Sequence, residues 1–249
     1  ALLQPKADMA ILLIDHGADP ITDHPFPRAF QAGSLSALRA FLDCRQRRPE
    51  LGEQLQTHLE MAPRQACSDG RGRLTGLLAW AGANPRARGL ATEDALNPTH
   101  SKYFSDAELE TTAVETACVT GSLPMLGSFR VSAERDDLSA LLRTTSHSPK
   151  PEITRWLLRR GANPNDKENG GSTALDHMLQ AVDRPDSYSF WDSRRKLGPE
   201  QTTRAFATFR ALTENGALWR PDPDNIKRVM RSLLQLTADG AIQYLRALK

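Results

Sequence analysis

Six histidines, three cysteines and several spaced carboxylates are the groups in this 249-residue chain with chemistry to offer. Metal-assisted hydrolysis from a helix needs two imidazoles one turn apart, and acyl transfer needs a nucleophile beside a base. His16, His24, His58, His100, His147 and His177 never stand four residues apart, and no HExxH, GxSxG or CxxC phrase occurs. Each histidine is therefore expected on a helix surface or in a turn, no catalytic residue is assigned, and the chain is not expected to be an enzyme. Cys44, Cys67 and Cys118 are odd in number and far apart, which argues against a disulfide framework and against a zinc site. They read as reduced thiols of an intracellular, cytoplasmic protein, with no cofactor and no metal expected.

Three weaker patterns resolve the same way. Ser68-Asp69-Gly70-Arg71-Gly72-Arg73 has the glycines of a phosphate loop but no Gly-Lys-Ser/Thr after them, and reads as a turn. Asp15, Asp19 and Asp23 are spaced like cation ligands, yet the first two flank a Gly-Ala hairpin where aspartate serves turn geometry. Asp222-Pro223-Asp224-Asn225 lacks the later Gly and Glu of a calcium loop and reads as the opening of a last helical pair.

Cationic and aromatic residues are the stronger feature. Arginines cluster at Arg45, Arg47, Arg48; Arg71, Arg73; Arg86, Arg88; Arg155, Arg159, Arg160; Arg194, Arg195 with Lys196; and Arg228, Arg231 with Lys227. Aligned along one side, they would hold an acidic protein or contact phosphates; neutralised by nearby carboxylates, they are solvated helix faces. A formal net charge of +2 lacks the long-range field that draws a phosphate backbone, so nucleic acid is the second partner class and protein the first. The segment from about 183 to 203 sets Tyr188, Phe190 and Trp191 beside Arg194, Arg195 and Lys196, residue types enriched in binding hot spots. These six are the candidate partner-binding residues, the alternative being that the aromatics fold back as a lid. Trp80, Trp156 and Trp219 are expected in the core.

The elements that position these groups are helices. With 39% hydrophobic residues the chain can bury a core, and with 6% aromatic residues and plentiful Ala and Leu that core suits helix packing better than a sheet. No stretch approaches the roughly 18 continuous apolar residues of a membrane span, so a soluble all-α protein is expected.

One phrase recurs: an apolar residue or pair, then Gly-Ala and, in three copies, Asp or Asn followed by Pro. It stands at Gly17-Ala18-Asp19-Pro20, Gly82-Ala83-Asn84-Pro85, Gly161-Ala162-Asn163-Pro164 and Gly216-Ala217. If a unit is roughly 33 residues, these glycines are two, two and one units apart, with insertions. Tighter turns split each unit, at Pro5-Lys6, Gly33-Ser34, Gly70, Gly121-Ser122, Pro149-Lys150 and Asp239-Gly240. Helically spaced apolar residues follow each turn, among them Met9, Leu12 and Leu13; Leu35, Leu38 and Leu42; Leu74, Leu77 and Leu78; Ile153, Trp156 and Leu157. A two-helix unit cannot bury such a face alone, so units must stack. The pattern is weak over 43–64 and 96–137 and broken by the basic, proline-bearing run Arg45 to Pro49 and by the 183–203 segment.

The run Gly161-Ala162-Asn163-Pro164-Asn165-Asp166-Lys167-Glu168-Asn169-Gly170-Gly171-Ser172-Thr173-Ala174-Leu175 resembles the junction between ankyrin repeats, with Ala174 where that family usually has Pro and Asp176 where it usually has His. Gly161 suits the left-handed residue that ends a helix, and Thr173 with Asp176 suits a capping box that starts the next. The resemblance implies an ankyrin-type solenoid of stacked helix-turn-helix repeats, about seven helical pairs in a single domain over 1–249, with short hairpin loops and one or two insertions. It further implies a protein-protein interaction module using hairpin tips and first helices over an extended surface. Because the chain starts within a repeat-like phrase, it is expected to be an N-terminally truncated piece, which adds the recognition arm of a larger enzyme or toxin as a further expectation.

Overall fold

The computed structural model describes residues 7–22, 24–88, 111–167, 171–183 and 199–218, and among them every element is helical. The chain divides into two compact units, residues 1–130 and 131–249. The first holds α1 (Ala7–Asp15), α2 (Pro25–Gln31), α3 (Leu35–Arg47), α4 (Gly52–Ser68), α5 (Gly72–Trp80), α6 (Ala113–Thr120) and α7 (Leu123–Ser128). The second holds α8 (Leu138–Ser146), α9 (Pro151–Arg159), α10 (Ala174–Asp183) and α11 (Pro199–Glu214).

Helices pair as α2/α3, α4/α5, α6/α7, α8/α9 and α10/α11, and within each unit the pairs pack like on like. First helices meet first helices, α2 on α4 and α4 on α6 in one unit, α8 on α10 in the other. Second helices meet second helices, α1 on α3, α5 on α7, and α9 on α11. Each pair thus covers the apolar face that its neighbour cannot bury alone.

One capping device closes both kinds of turn. At the end of α9 the amide of Ala162 donates to the Leu157 carbonyl at 3.1 Å and the amide of Gly161 to Leu158 at 3.0 Å, the paired bonds of a Schellman cap. The same pair of bonds closes helices at Gly17, Gly82 and Gly216, and also at the tighter turns Gly33, Gly70 and Gly121. The three Asp/Asn-Pro hairpins then add an Asx turn. The Asp19, Asn84 and Asn163 side chains accept from the amides of Ile21, Arg86 and Asn165 at 2.7, 3.0 and 3.0 Å. Next-helix starts are capped as reciprocally. Thr173 donates its amide to Asp176 at 2.8 Å and accepts from the Asp176 amide at 3.3 Å; Thr112 and Glu115 make the same box at α6.

Gly161 sits at φ +97° with nothing within 4 Å of where a Cβ would stand, so its requirement is purely one of backbone. Gly161→Ala is expected to cost about 1–2 kcal/mol, the left-handed penalty of an L-residue. Gly52, also without neighbours within 4 Å, has φ −55° at the start of α4. Gly52→Ala is expected to raise stability by about 0.4–1 kcal/mol. Urea unfolding of the two variants checks the pair, and equal signs would contradict it.

The run Arg45 to Pro49 is no insertion. The chain leaves α3 at Arg47, makes a single 3-10 turn over Pro49–Leu51, and enters α4 directly. The repeat reads poorly here because Pro63 lies inside α4, where a proline in sequence signals a helix break. The second interruption is narrower than expected, since α10 runs to Asp183 and α11 already begins at Pro199.

Phe26, Phe30 and Phe41 centre the core of the first unit. Each is at most 1% exposed, and Phe41 meets Phe26 edge-on at a centroid distance of 5.3 Å. Around them lie Leu38, Leu55, Leu59 and Leu78. Two expectations about burial need correction. In α1 the small residues Ala7 and Ala10 face inward with Ile14, while Met9, Leu12 and Leu13 are 47%, 51% and 45% exposed. Close approach of α1 to α3 takes the small face, a choice periodicity alone does not make. Trp80, expected in the core, is 74% exposed at the end of α5, whereas Trp156 is partly buried.

Candidate functional site

The helix caps and stacking leave the arginine clusters to be sorted by what each side chain touches. At the end of α3 all three are used internally. Arg48 donates to the Ile14 carbonyl at 2.5 Å, Arg47 pairs with Asp15 at 3.0 Å and with Asp43 at 3.0 Å, and Arg45 donates to the Ala81 carbonyl at 3.3 Å. Helix ends leave carbonyls without partners, and here guanidinium groups of α3 supply donors to the end of α1 on one side and of α5 on the other. Arg71 pairs with Asp69 at 3.5 Å, and its guanidinium lies where a side chain on Gly33 would have to stand. Arg143 is bound to Asp166 across the α9–α10 connection. These are struts between successive pairs.

The cluster on α9 is different. Pro151, Ile153, Thr154, Leu157 and Leu158 are buried, and Arg155, Arg159 and Arg160 are exposed on the opposite side. Among the described residues no ion pair involves any of the three, and Glu152, one turn earlier, pairs with none of them. On the neighbouring α11, by contrast, Arg204 and Arg210 are matched by Glu200 at 2.5 Å and Glu214 at 2.6 Å. The Arg160 guanidinium lies over the Trp156 ring, 4.0 Å from its centroid. That cation–π contact holds the group over the ring while Arg160 itself stays exposed. The arrangement presents three exposed guanidinium groups at the end of one helix, one of them held on an indole ring, a chemistry suited to carboxylate or phosphate oxygens.

Second helices carry changing chemistry at one equivalent place, two residues before the capping glycine. It is Asp15, paired with Arg47, at α1; exposed Trp80 at α5; exposed Arg159 at α9; and Glu214, paired with Arg210, at α11. The repeat keeps the turn and varies the outward residue.

Two histidines are buried, contrary to the surface reading. His58, 3% exposed in α4, shares a 2.9 Å hydrogen bond with Nδ1 of His24, the residue that opens α2. Burial, assisted by the His24 ring and opposed by Asp19, lowers the His58 pKa to about 4, so this imidazole is neutral in the fold. His177, 7% exposed in α10, lies with its ring centroid 4.2 Å from that of His147. Both contacts join first helices of successive pairs, and no spacing within a single helix announces them. His16 keeps the surface reading, its Nδ1 at 2.8 Å from the Leu12 carbonyl. Cys67 is likewise a core group, its thiol pushed up to about 12 by burial, and Cys44 is raised for the same reason.

The suggested cation site at Asp15 and Asp19 is used for structure. Hydrogen bonds from the Thr22 hydroxyl and then the Ile21 amide hold the Asp19 carboxyl below its ordinary range. Among the described residues no group of three or more His, Cys, Asp or Glu side chains is arranged to hold a metal ion. The turn reading of Gly70 stands, since it joins α4 to α5. Tyr188, Phe190, Trp191, Arg194, Arg195 and Lys196 lie outside the described residues, as do His100, Asp23, Trp219 and the Lys227 to Arg231 cluster. No helix among the described residues is long and apolar enough to cross a membrane.

No protein-family model and no curated protein matches the chain.

Proposed function

We propose that this chain is a protein-binding module built on ankyrin-type stacked helical pairs, and that it holds its partner across successive pairs. The observation that carries the reading is the repetition of one junction. The same Schellman cap and the same Asx turn recur at Gly17-Asp19, Gly82-Asn84 and Gly161-Asn163 while the outward residue just before the cap changes from Asp15 to Trp80 to Arg159. Constant turn chemistry with variable outward chemistry is how repeat arrays separate folding from recognition. Trp80, 74% exposed, is an aromatic anchor of the kind enriched in interface hot spots. A stable complex on such a surface buries roughly 1,200–2,000 Å² in total.

The test is affinity capture from native lysate, with and without nuclease, using wild-type chain and Trp80→Ala. A protein retained after nuclease treatment, and lost or weakened with Trp80→Ala, is the expected result. Recovery of nuclease-sensitive material alone would replace this reading with nucleic-acid binding.

A further inference from the structure

We propose that the outer face of α9 docks an acidic, extended segment of the partner, its carboxylates taken by Arg155 and Arg159 and by the Arg160 guanidinium stacked on Trp156; this rests on the protein-binding reading above. The bland account of basic residues at a helix C-terminus is the helix dipole, which favours cations in the last turn. It covers Arg159 and Arg160, since α9 ends at Arg159. It does not cover Arg155, a full turn earlier, exposed and without a carboxylate partner among the described residues. On α11, the helix that packs against α9, exposed Arg204 and Arg210 are matched by acids at i−4 and i+4. On α9 three exposed guanidinium groups thus stand close together without an acid partner among the described residues.

Spacing and electronics specify what that is. Arg155 and Arg159 are one turn apart, about 6 Å along the helix. Alternate side chains of an extended segment are spaced about 6.6 Å apart, so carboxylates at alternate positions reach both arginines in register. Guanidinium groups take carboxylates by two parallel N–H donors, and Arg160, already held over the Trp156 ring at 4.0 Å, loses less conformational freedom in doing so. A single-stranded nucleic acid is the poorer fit. Its sequence-tolerant affinity comes from bases stacking on open aromatic rings, and the Trp156 face is occupied by Arg160.

The experiment is fluorescence anisotropy with the full chain and a labelled decapeptide of alternating Glu and Ser, set against a labelled ten-nucleotide single strand. Three proteins are compared: wild type, the double variant Arg155→Glu/Arg159→Glu, and Arg73→Glu as a reversal of an exposed arginine elsewhere. The expected result is peptide binding weakened at least tenfold by the double variant and less than threefold by Arg73→Glu, with all three chains giving the same far-ultraviolet circular dichroism. Absence of peptide binding to wild type would overturn the proposal. Equal losses in both variants would overturn it too, since the effect would then be net charge. Tighter binding of the oligonucleotide, again lost in the double variant, would assign α9 to nucleic acid. Capture of the same nuclease-resistant partner by wild type and the double variant alike would remove α9 from the interface while leaving the protein-binding reading intact.

Discussion

Phe41→Ala is expected to destabilise the first unit by about 3–5 kcal/mol, the cost of deleting a buried ring and leaving its cavity. Phe41 is fully buried on α3, and it meets Phe26 at 90° and 5.3 Å and Phe30 at 68° and 5.8 Å, both from α2. Those edge-on contacts add to the area term, and neighbours fixed in two helices of one pair cannot close the space. Phe41→Leu keeps most of the apolar volume and is expected to cost less than half as much. Urea unfolding followed by circular dichroism measures both. A loss under about 1 kcal/mol for Phe41→Ala would mean that the ring triad does not centre this core.

Acid is expected to destabilise the same unit through His58. The imidazole has an ordinary value of 6.5 in an unfolded chain and about 4 in the fold, so below 6.5 the unfolded state binds a proton that the fold refuses. Stability from this group is complete above pH 6.5, declines as the pH falls, and stops declining below about 4. Linkage puts the loss at about 2 kcal/mol by pH 5 and about 3 kcal/mol by pH 4. The groups acting on His58 are the His24 ring at 2.9 Å and the Asp19 carboxylate, which opposes the shift. His58→Leu removes the titrating group. Its stability difference between pH 7 and pH 5 is expected to be about 2 kcal/mol smaller than that of wild type. An unchanged pH dependence in the variant would place the acid sensitivity elsewhere.

Both predictions rest on contacts between elements, and that is where sequence reading stopped. The Gly-Ala caps, the Asx turns at Asp19, Asn84 and Asn163, and the Thr173/Asp176 box were legible because each is a bond between residues at most five apart. The matching Thr112/Glu115 box carries the same local signal, a Thr followed three residues later by an acid, but it stands where the repeat phrase fades. Pro63 hid the continuity of α4 for a similar local reason. The burial of His58 and the strut roles of Arg45, Arg47 and Arg48 were not legible, since their partners His24, Ala81, Asp15 and Ile14 lie more than 30 residues away. The inward face of α1 is not legible either, because Ala7 and Ala10 count little in a hydrophobic pattern, yet they are buried in a helix that packs on α3.

The arginines show the same division. In sequence the six clusters look alike; in the fold, those at α3 hold neighbouring pairs together and that on α9 faces outward.

Hydrogen-deuterium exchange of the chain with and without its captured partner tests the central claim most directly. Protection at consecutive pairs within a unit, including the outward turn near Trp80 in the first or near Arg159 in the second, is the predicted result. Protection confined to one short segment, with the remaining pairs exchanging as in the free chain, would contradict an extended repeat surface.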